Sequence, residues 1–440
     1  MSAASESKQP PRPVLFSGVR LIDPASRRDE IGDLLVVDGR IAATGGGLSK
    51  KGLPEATEHV AARGLCLAPG IVDLRVQLRE PGEEHKETIA SASTAAAAGG
   101  VTSMVALPNT DPVIDDVAGI EFIARRAREI RKVKVYVYAG VTKGLLGKDL
   151  TEFGLLSESG AVAFTDGLTA VADARVMRRA LSYASAFGVL IVQHPEEPSL
   201  AAGGQMNEGE LATRLGLAGI PAMAEVILIE RDLRILALTG GRYHVAHVST
   251  AAGIEAIRQA KERGLHVTCD TAPPYFALNE LAVGEYRTFA KLSPALRSEA
   301  DRAAVAAAVA DGSIDCIASD HAPHDQDSKR VPFAQAAPGV IGLETLLPVS
   351  LELVHKRMLS MVELFQRLAL TPADLLGLPQ GRLSIGAPAD LVLFDPERAW
   401  VIDEDRFLSK SKNSPFGGRP VQGRVLRTLV DGRTVFSAAT

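Results

Sequence analysis

Three cysteines, one tryptophan and an aromatic fraction of 5% in 440 residues set the first limits on this chain. Cys66, Cys269 and Cys316 lie far apart, form no CxxC pair and sit in apolar, strand-like contexts. That pattern excludes a disulfide framework or a thiolate metal knot and points to small buried hydrophobes in a reducing compartment. No apolar run approaches the roughly 18 residues that cross a bilayer. No long basic run offsets the net charge of -5, so nothing in the composition favours nucleic acid. Residues 1–13 are polar and proline-containing, lack the apolar segment of a secretory signal, and are expected to be disordered. The expectation is a cytoplasmic protein with a small-molecule ligand, bound to neither membrane nor nucleic acid.

What the chain has is apolar residues, 46% of the total, enough for a large core. From Val14 to Ala68, and again from about residue 380 to the end, short β segments alternate with turn signals, including Asp38-Gly39 and Asp431-Gly432. These ends, 14–68 plus 380–440, are expected to join into one β-sandwich. Between them, over 69–379, short apolar runs alternate with segments of helical periodicity. Eight candidate strands fall near 71–77, 101–107, 133–139, 161–166, 188–194, 243–248, 266–271 and 314–320. Eight strands close a β/α barrel, so the fold class is α/β, a TIM-type barrel carrying a sandwich.

Such barrels carry their chemistry at the C-terminal ends of the strands. Here those ends hold Arg75, Gln77 and Arg79, then Asn109, Asp166, His194, His247, and the cluster Asp320, His321 and His324. A lone histidine ending a buried strand is more often structural than a ligand. Two on successive strands, with Asp166 before and Asp320 after, point instead to a divalent metal, because imidazole and carboxylate suit zinc. His244 is an odd number of steps from His247 and is expected to face away. Asp320 reads as a metal ligand or general base, and Asn109 as either a plain turn residue or a binding group.

With these pieces placed, the sequence resembles the dihydroorotase family of cyclic amidohydrolases. The likeness runs from Val14 to Phe436 and rests on Pro69-Gly-Ile-Val-Asp-Leu74 with Leu78-Arg-Glu-Pro-Gly82, Leu107-Pro-Asn-Thr-Asp-Pro112, Ala163-Phe-Thr-Asp166, Met206-Asn-Glu-Gly209, His247-Val-Ser-Thr250, Asp320-His-Ala-Pro-His324 and Gly342-Leu-Glu-Thr345. The resemblance implies interconversion of N-carbamoyl-L-aspartate and (S)-dihydroorotate in pyrimidine biosynthesis. It implies one zinc on Asp166, His194, His247 and Asp320, with Asp320 also catalytic as the proton shuttle, and substrate held by Arg79, Asn109 and His324. A homo-oligomer is expected.

One stretch departs from the family. Arg75-Val76-Gln77 stands where members with a full metal centre have His-x-His, so Arg75 and Gln77 mark lost metal-ligand positions. Arginine stays protonated and has no lone pair to donate. Pro274-Tyr275 replaces a frequent histidine pair, and Ser293 a frequent asparagine. No lysine occurs between Lys148 and Lys261, so the carbamylated lysine of hydantoinase-like relatives is absent. Two readings stay open: an enzyme with a reduced, one-zinc centre, or a non-catalytic scaffold subunit of aspartate transcarbamoylase. Hydrolysis of another cyclic amide is a third, less favoured because Arg79 and Asn109 suit a carboxylate-bearing ring.

Overall fold

A computed structural model describes residues 11–50 and 52–438. The disorder expected over residues 1–13 therefore falls, up to residue 10, outside the described residues. The middle of the chain forms eight parallel strands in sequence order: β1 (Ile71–Val76), β2 (Val101–Ala106), β3 (Lys134–Ala139), β4 (Ala161–Phe164), β5 (Leu190–Gln193), β6 (Arg242–Val245), β7 (Val267–Thr271) and β8 (Cys316–Ile317). The sheet closes through a bridge between Val76 and His321, with Gln77 N donating to His321 O and His321 N to Arg75 O. Most strand residues are buried because both faces are covered, the outer by helices and the inner by the other strands, and the strands are accordingly rich in apolar residues. Leu74, Val105, Tyr138, Ala163, Val192, Ala246 and Cys316 fill the interior.

The helices carry apolar stripes and begin where the sequence supplies caps. The Asp173 carboxylate accepts from Arg175 N and Val176 N at the start of Ala174–Phe187, and the Thr250 hydroxyl accepts from Gly253 N at the start of Ala251–Glu262. None of the helices among the described residues is long and apolar enough to cross a membrane.

The two chain ends meet in one strand-rich unit. Cys66–Pro69 pairs parallel with Val14–Asp23 and antiparallel with Leu391–Val401, which pairs in turn with Pro420–Val430. This eight-stranded sheet encloses a core of its own, including Phe16, Leu21, Leu34, Leu67, Leu391 and Leu429. The Asp38-Gly39 and Asp431-Gly432 turns both have positive φ at each residue. They also touch: a Cβ on Gly39 would lie 2.8 Å from Asp431 O, so the contact requires glycine. Cys66–Pro69 then runs through Gly70 directly into β1, so one stretch begins both units.

A strap from the C-terminal end, residues 407–414, lies against the barrel beside helix Leu346–His355. Glu344, half-buried just before that helix, accepts Leu408 N (2.8 Å) and Ser409 N (3.0 Å) on one oxygen. Burial pushes its carboxyl up to about 7, against the pull of those two N–H groups. A carboxyl raised in the folded state stabilises the fold at acidic pH, and that contribution fades as pH rises from about 4.5 to 7. Glu344→Gln keeps the accepting oxygen and removes the titration. Its unfolding free energy in urea should therefore lose about 2–3 kcal/mol less than the parent's between pH 4.5 and 7; parallel curves would contradict this.

Candidate functional site

The strand ends bring the sequence-selected residues together at one barrel mouth. Arg75 lies in β1 and Gln77 just past its end, where the period of two points them the same way, and the left-handed turn at Arg79, φ 61°, sends the chain on toward the loop after β8. Arg75 is 2% exposed. Its Nε donates to Asp320 Oδ1 at 2.8 Å and its Nη2 to Gly167 O at 3.1 Å, so the guanidinium spans the gap between the ends of β8 and β4. Gln77 Oε1 accepts from Asn109 Nδ2 at 3.2 Å. Gly167 packs against Asn109, where an added Cβ would lie 3.4 Å from the Asn109 Cβ. Arg79 donates to Pro323 O (3.1 Å) and to Glu83 (2.8 Å), and its Nη2 lies 3.3 Å from His324 Nε2.

The histidines face one another. His194 Nδ1 and His247 Nε2 are 2.9 Å apart, a hydrogen bond, and His247 Nδ1 is 3.4 Å from Asp320 Oδ2. Both oxygens of Asp166 are taken by Thr142, one by its N–H (2.9 Å) and one by its hydroxyl (2.5 Å). Burial raises the Asp166 carboxyl, with Thr142 opposing. Burial also drives His247 down to about 4, helped by Arg75, so its ring is uncharged at neutral pH. For Asp320, burial acts upward, but His247 and Arg75 outweigh it and hold the carboxyl well below its usual range. Because His247 is neutral, the charge facing Asp320 is that of Arg75.

This donor set does not fit a divalent metal. Two imidazole nitrogens sharing one zinc sit about 3.3 Å apart, each with its lone pair turned to the ion. Here the two share a proton at 2.9 Å, each oxygen of Asp166 already accepts one hydrogen bond from Thr142, and a guanidinium lies between the Asp166 and Asp320 loops. Among the described residues no three His, Cys, Asp or Glu side chains converge on a common point. The zinc expected on Asp166, His194, His247 and Asp320 meets a fixed cation, Arg75, in their midst.

Three residues of the mouth, Arg79, His247 and Asp320, have positive φ of 61°, 38° and 51°. Non-glycine residues adopt this conformation rarely, and where they do it tends to mark functional loops. His244, expected to face away, lies instead on the inner side of β6, because its neighbour Tyr243 points outward to Asp232 on helix Met223–Thr239. It is bound to Asp270 Oδ2 (2.9 Å) and Thr268 (2.7 Å), while Asp270 Oδ1 accepts His247 N. His321 is structural, accepting Gly342 N and lying 3.5 Å from buried Glu87. Sequence reasoning missed Thr142, which sits just past the end of β3, one of two strands, with β7, from which no polar end residue was taken. It also missed Gly167, which acts through its carbonyl.

The chain is similar to proteins of one family over nearly its whole length. The model of the Dihydro-orotase-like family matches residues 64–252. A protein of Geotalea daltonii named Dihydroorotase is 46% identical over 422 residues, covering 96% of this chain and 99% of that one. One of the same name from Desulforapulum autotrophicum is 47% identical over 426 residues, with 96% and 99% covered. Among solved structures, the L-hydantoinase of Arthrobacter aurescens superposes with a TM-score of 0.87 at 28% identity, 96% of each chain covered. A dihydropyrimidinase of Brevibacillus agri, at 22% identity and a TM-score of 0.84 over 97% of this chain and 95% of that one, shares the fold.

Removing one partner of a buried ion pair strands the other's charge. Arg75→Met should lower stability in urea by about 3–5 kcal/mol. Arg75→Lys should lose less, because it keeps the charge but cannot hold Asp320 and Gly167 O at once. An Arg75→Met chain as stable as the parent would show that the pair does not organise the mouth.

Proposed function

The chain belongs to the dihydroorotase family, and from that membership we propose that it serves pyrimidine biosynthesis by binding N-carbamoyl-L-aspartate or (S)-dihydroorotate at the barrel mouth, without hydrolysing the ring. Proteins named Dihydroorotase at 46% and 47% identity support the pathway. The observation that carries the non-hydrolytic part is the Arg75–Asp320 pair at 2.8 Å. Hydrolysis of a cyclic amide needs a nucleophile made from water and a group that carries the proton to the leaving nitrogen. Arg75 cannot supply the first, since it has no lone pair and does not deprotonate. Asp320 has one oxygen committed to the Arg75 guanidinium at 2.8 Å, an ion pair that favours the carboxylate and opposes its taking up the proton for the second.

The ligand-holding groups are in better order. Arg79 and Asn109 offer donors for a carboxylate. Burial and the charges of Arg79 and Lys329 drive His324 down to about 3, so its ring is neutral at physiological pH. Two contacts compete at its Nε2: Pro338 O at 2.9 Å needs a proton there, and Arg79 Nη2 at 3.3 Å needs a lone pair. The shorter contact to an obligate acceptor favours Nε2–H, which leaves Nδ1, buried and unpartnered among the described residues, as an acceptor for a ligand N–H. A carboxylate beside amide N–H groups is what both pathway compounds present. A barrel that keeps this part of the site and loses the other suits a partner subunit, and we assign it to aspartate transcarbamoylase.

Calorimetry should show binding of N-carbamoyl-L-aspartate, weakened about 10-fold or more by Arg79→Met, and the purified chain should not hydrolyse dihydroorotate with or without added zinc. Turnover that rises with zinc would overturn this reading in favour of a reduced centre, one zinc on Asp166, His194 and His247 with Asp320 as shuttle. Arg75→His with Gln77→His should gain zinc and activity. Failure to co-purify with abundant aspartate transcarbamoylase would remove the partner assignment.

A further inference from the structure

One buried side chain ties the chain's C-terminal strap to the ligand-holding edge of the mouth. Asn413 is 1% exposed and lies at the end of the strap, far in sequence from the barrel strands. Its Oδ1 accepts His324 N at 3.1 Å. Its Nδ2 donates to Ala322 O at 3.0 Å and to Gly339 O at 3.1 Å, and its own carbonyl accepts Ile341 N at 3.2 Å. All its polar groups but one thus clasp the two limbs of the loop that follows β8, the limb carrying His324 and the limb returning to Ile341.

The clasp controls more than the backbone. Gly339 follows Pro338, whose carbonyl takes the His324 Nε2 proton. A Cβ on Gly339 would stand 3.2 Å from that nitrogen and 2.7 Å from the Ala322 Cβ, so the ring sits in a slot the returning limb forms. Fixing Gly339 O and His324 N on one amide sets the distance between ring and carbonyl, and so which ring nitrogen carries the proton. The strap is itself anchored: Glu344 holds Leu408 N and Ser409 N, Glu87 accepts Lys410 N (3.2 Å), and Ser411 Oγ donates to Lys86 O (2.7 Å). Amide, slot and anchors form one continuous support.

We infer that Asn413 is a positioning residue for ligand binding: it holds the His324 ring in its slot so that the buried, unpartnered Nδ1 is kept as a fixed acceptor. The inference rests on the ligand-binding reading above, and the test separates the two. Nitrogen NMR of the full chain with labelled histidine should show His324 as a single Nε2–H tautomer. In Asn413→Ala the two tautomers should average, and calorimetry with N-carbamoyl-L-aspartate should show an affinity about 10-fold lower. Ser411→Ala, on the same strap, should bind within about twofold of the parent. Asn413→Ser keeps a group that can both donate and accept and adds no charge, so it should fall between parent and alanine, and it serves if the alanine variant does not fold. Parental tautomer and affinity in the Asn413 variants would overturn the inference while the ligand reading stands. A parent chain that binds no ligand, with the tautomer still lost in Asn413→Ala, would support the positioning role and overturn the ligand reading instead.

Discussion

A single buried ion pair, Arg75 with Asp320, sets the character of the barrel mouth. The rest of the fold delivers these two residues to each other from opposite ends of the barrel sequence, β1 and β8, and the same two loops close the barrel through His321. A guanidinium in that place meets the carboxylate with charge, as a metal ion would, but it brings no open position and no activated water. The neighbouring groups adjust accordingly: the histidines bond each other, Thr142 satisfies Asp166, and Gln77 turns to Asn109. The result is a mouth whose inner polar groups largely bond one another, with a buried, unpartnered ring nitrogen left on His247 and another at the outer edge on His324.

That outer edge depends on the other unit. The strand Cys66–Pro69 joins the chain-end sheet to β1, and the strap from 407 to 414 returns to the far side of the mouth and clasps the loop after β8. Both routes run from the same strand-rich unit to groups that face the ligand. Carboxylates at Glu87, buried, and Glu344, half-buried, secure the second route through backbone N–H groups, which explains how a segment with little regular structure stays in place.

Much of this was legible in the sequence, for physical reasons. Parallel strands covered on both faces read as apolar runs, so all eight barrel strands and the polar residues at their ends could be located. The Asp-Gly turns marked the two chain ends as β structure. The unusual chemistry was visible too, because Arg75 and Gln77 announce themselves by what they are not. Illegible were the contacts made by main-chain atoms and by residues outside the strand rule. Gly167 acts through a carbonyl, which any residue has; Thr142 lies beyond a strand end that carried no charge; Asn413 reaches the site from about 90 residues beyond the loop it holds. Nor could spacing reveal that the ligand-type residues would satisfy one another rather than converge.

The account turns on whether Arg75 holds its place when zinc is offered. A crystal structure of the full chain grown with excess zinc, with anomalous data at the zinc edge, decides it. The prediction is an intact Arg75–Asp320 pair and no anomalous peak among Asp166, His194 and His247. A zinc peak there, with the guanidinium displaced, would contradict it.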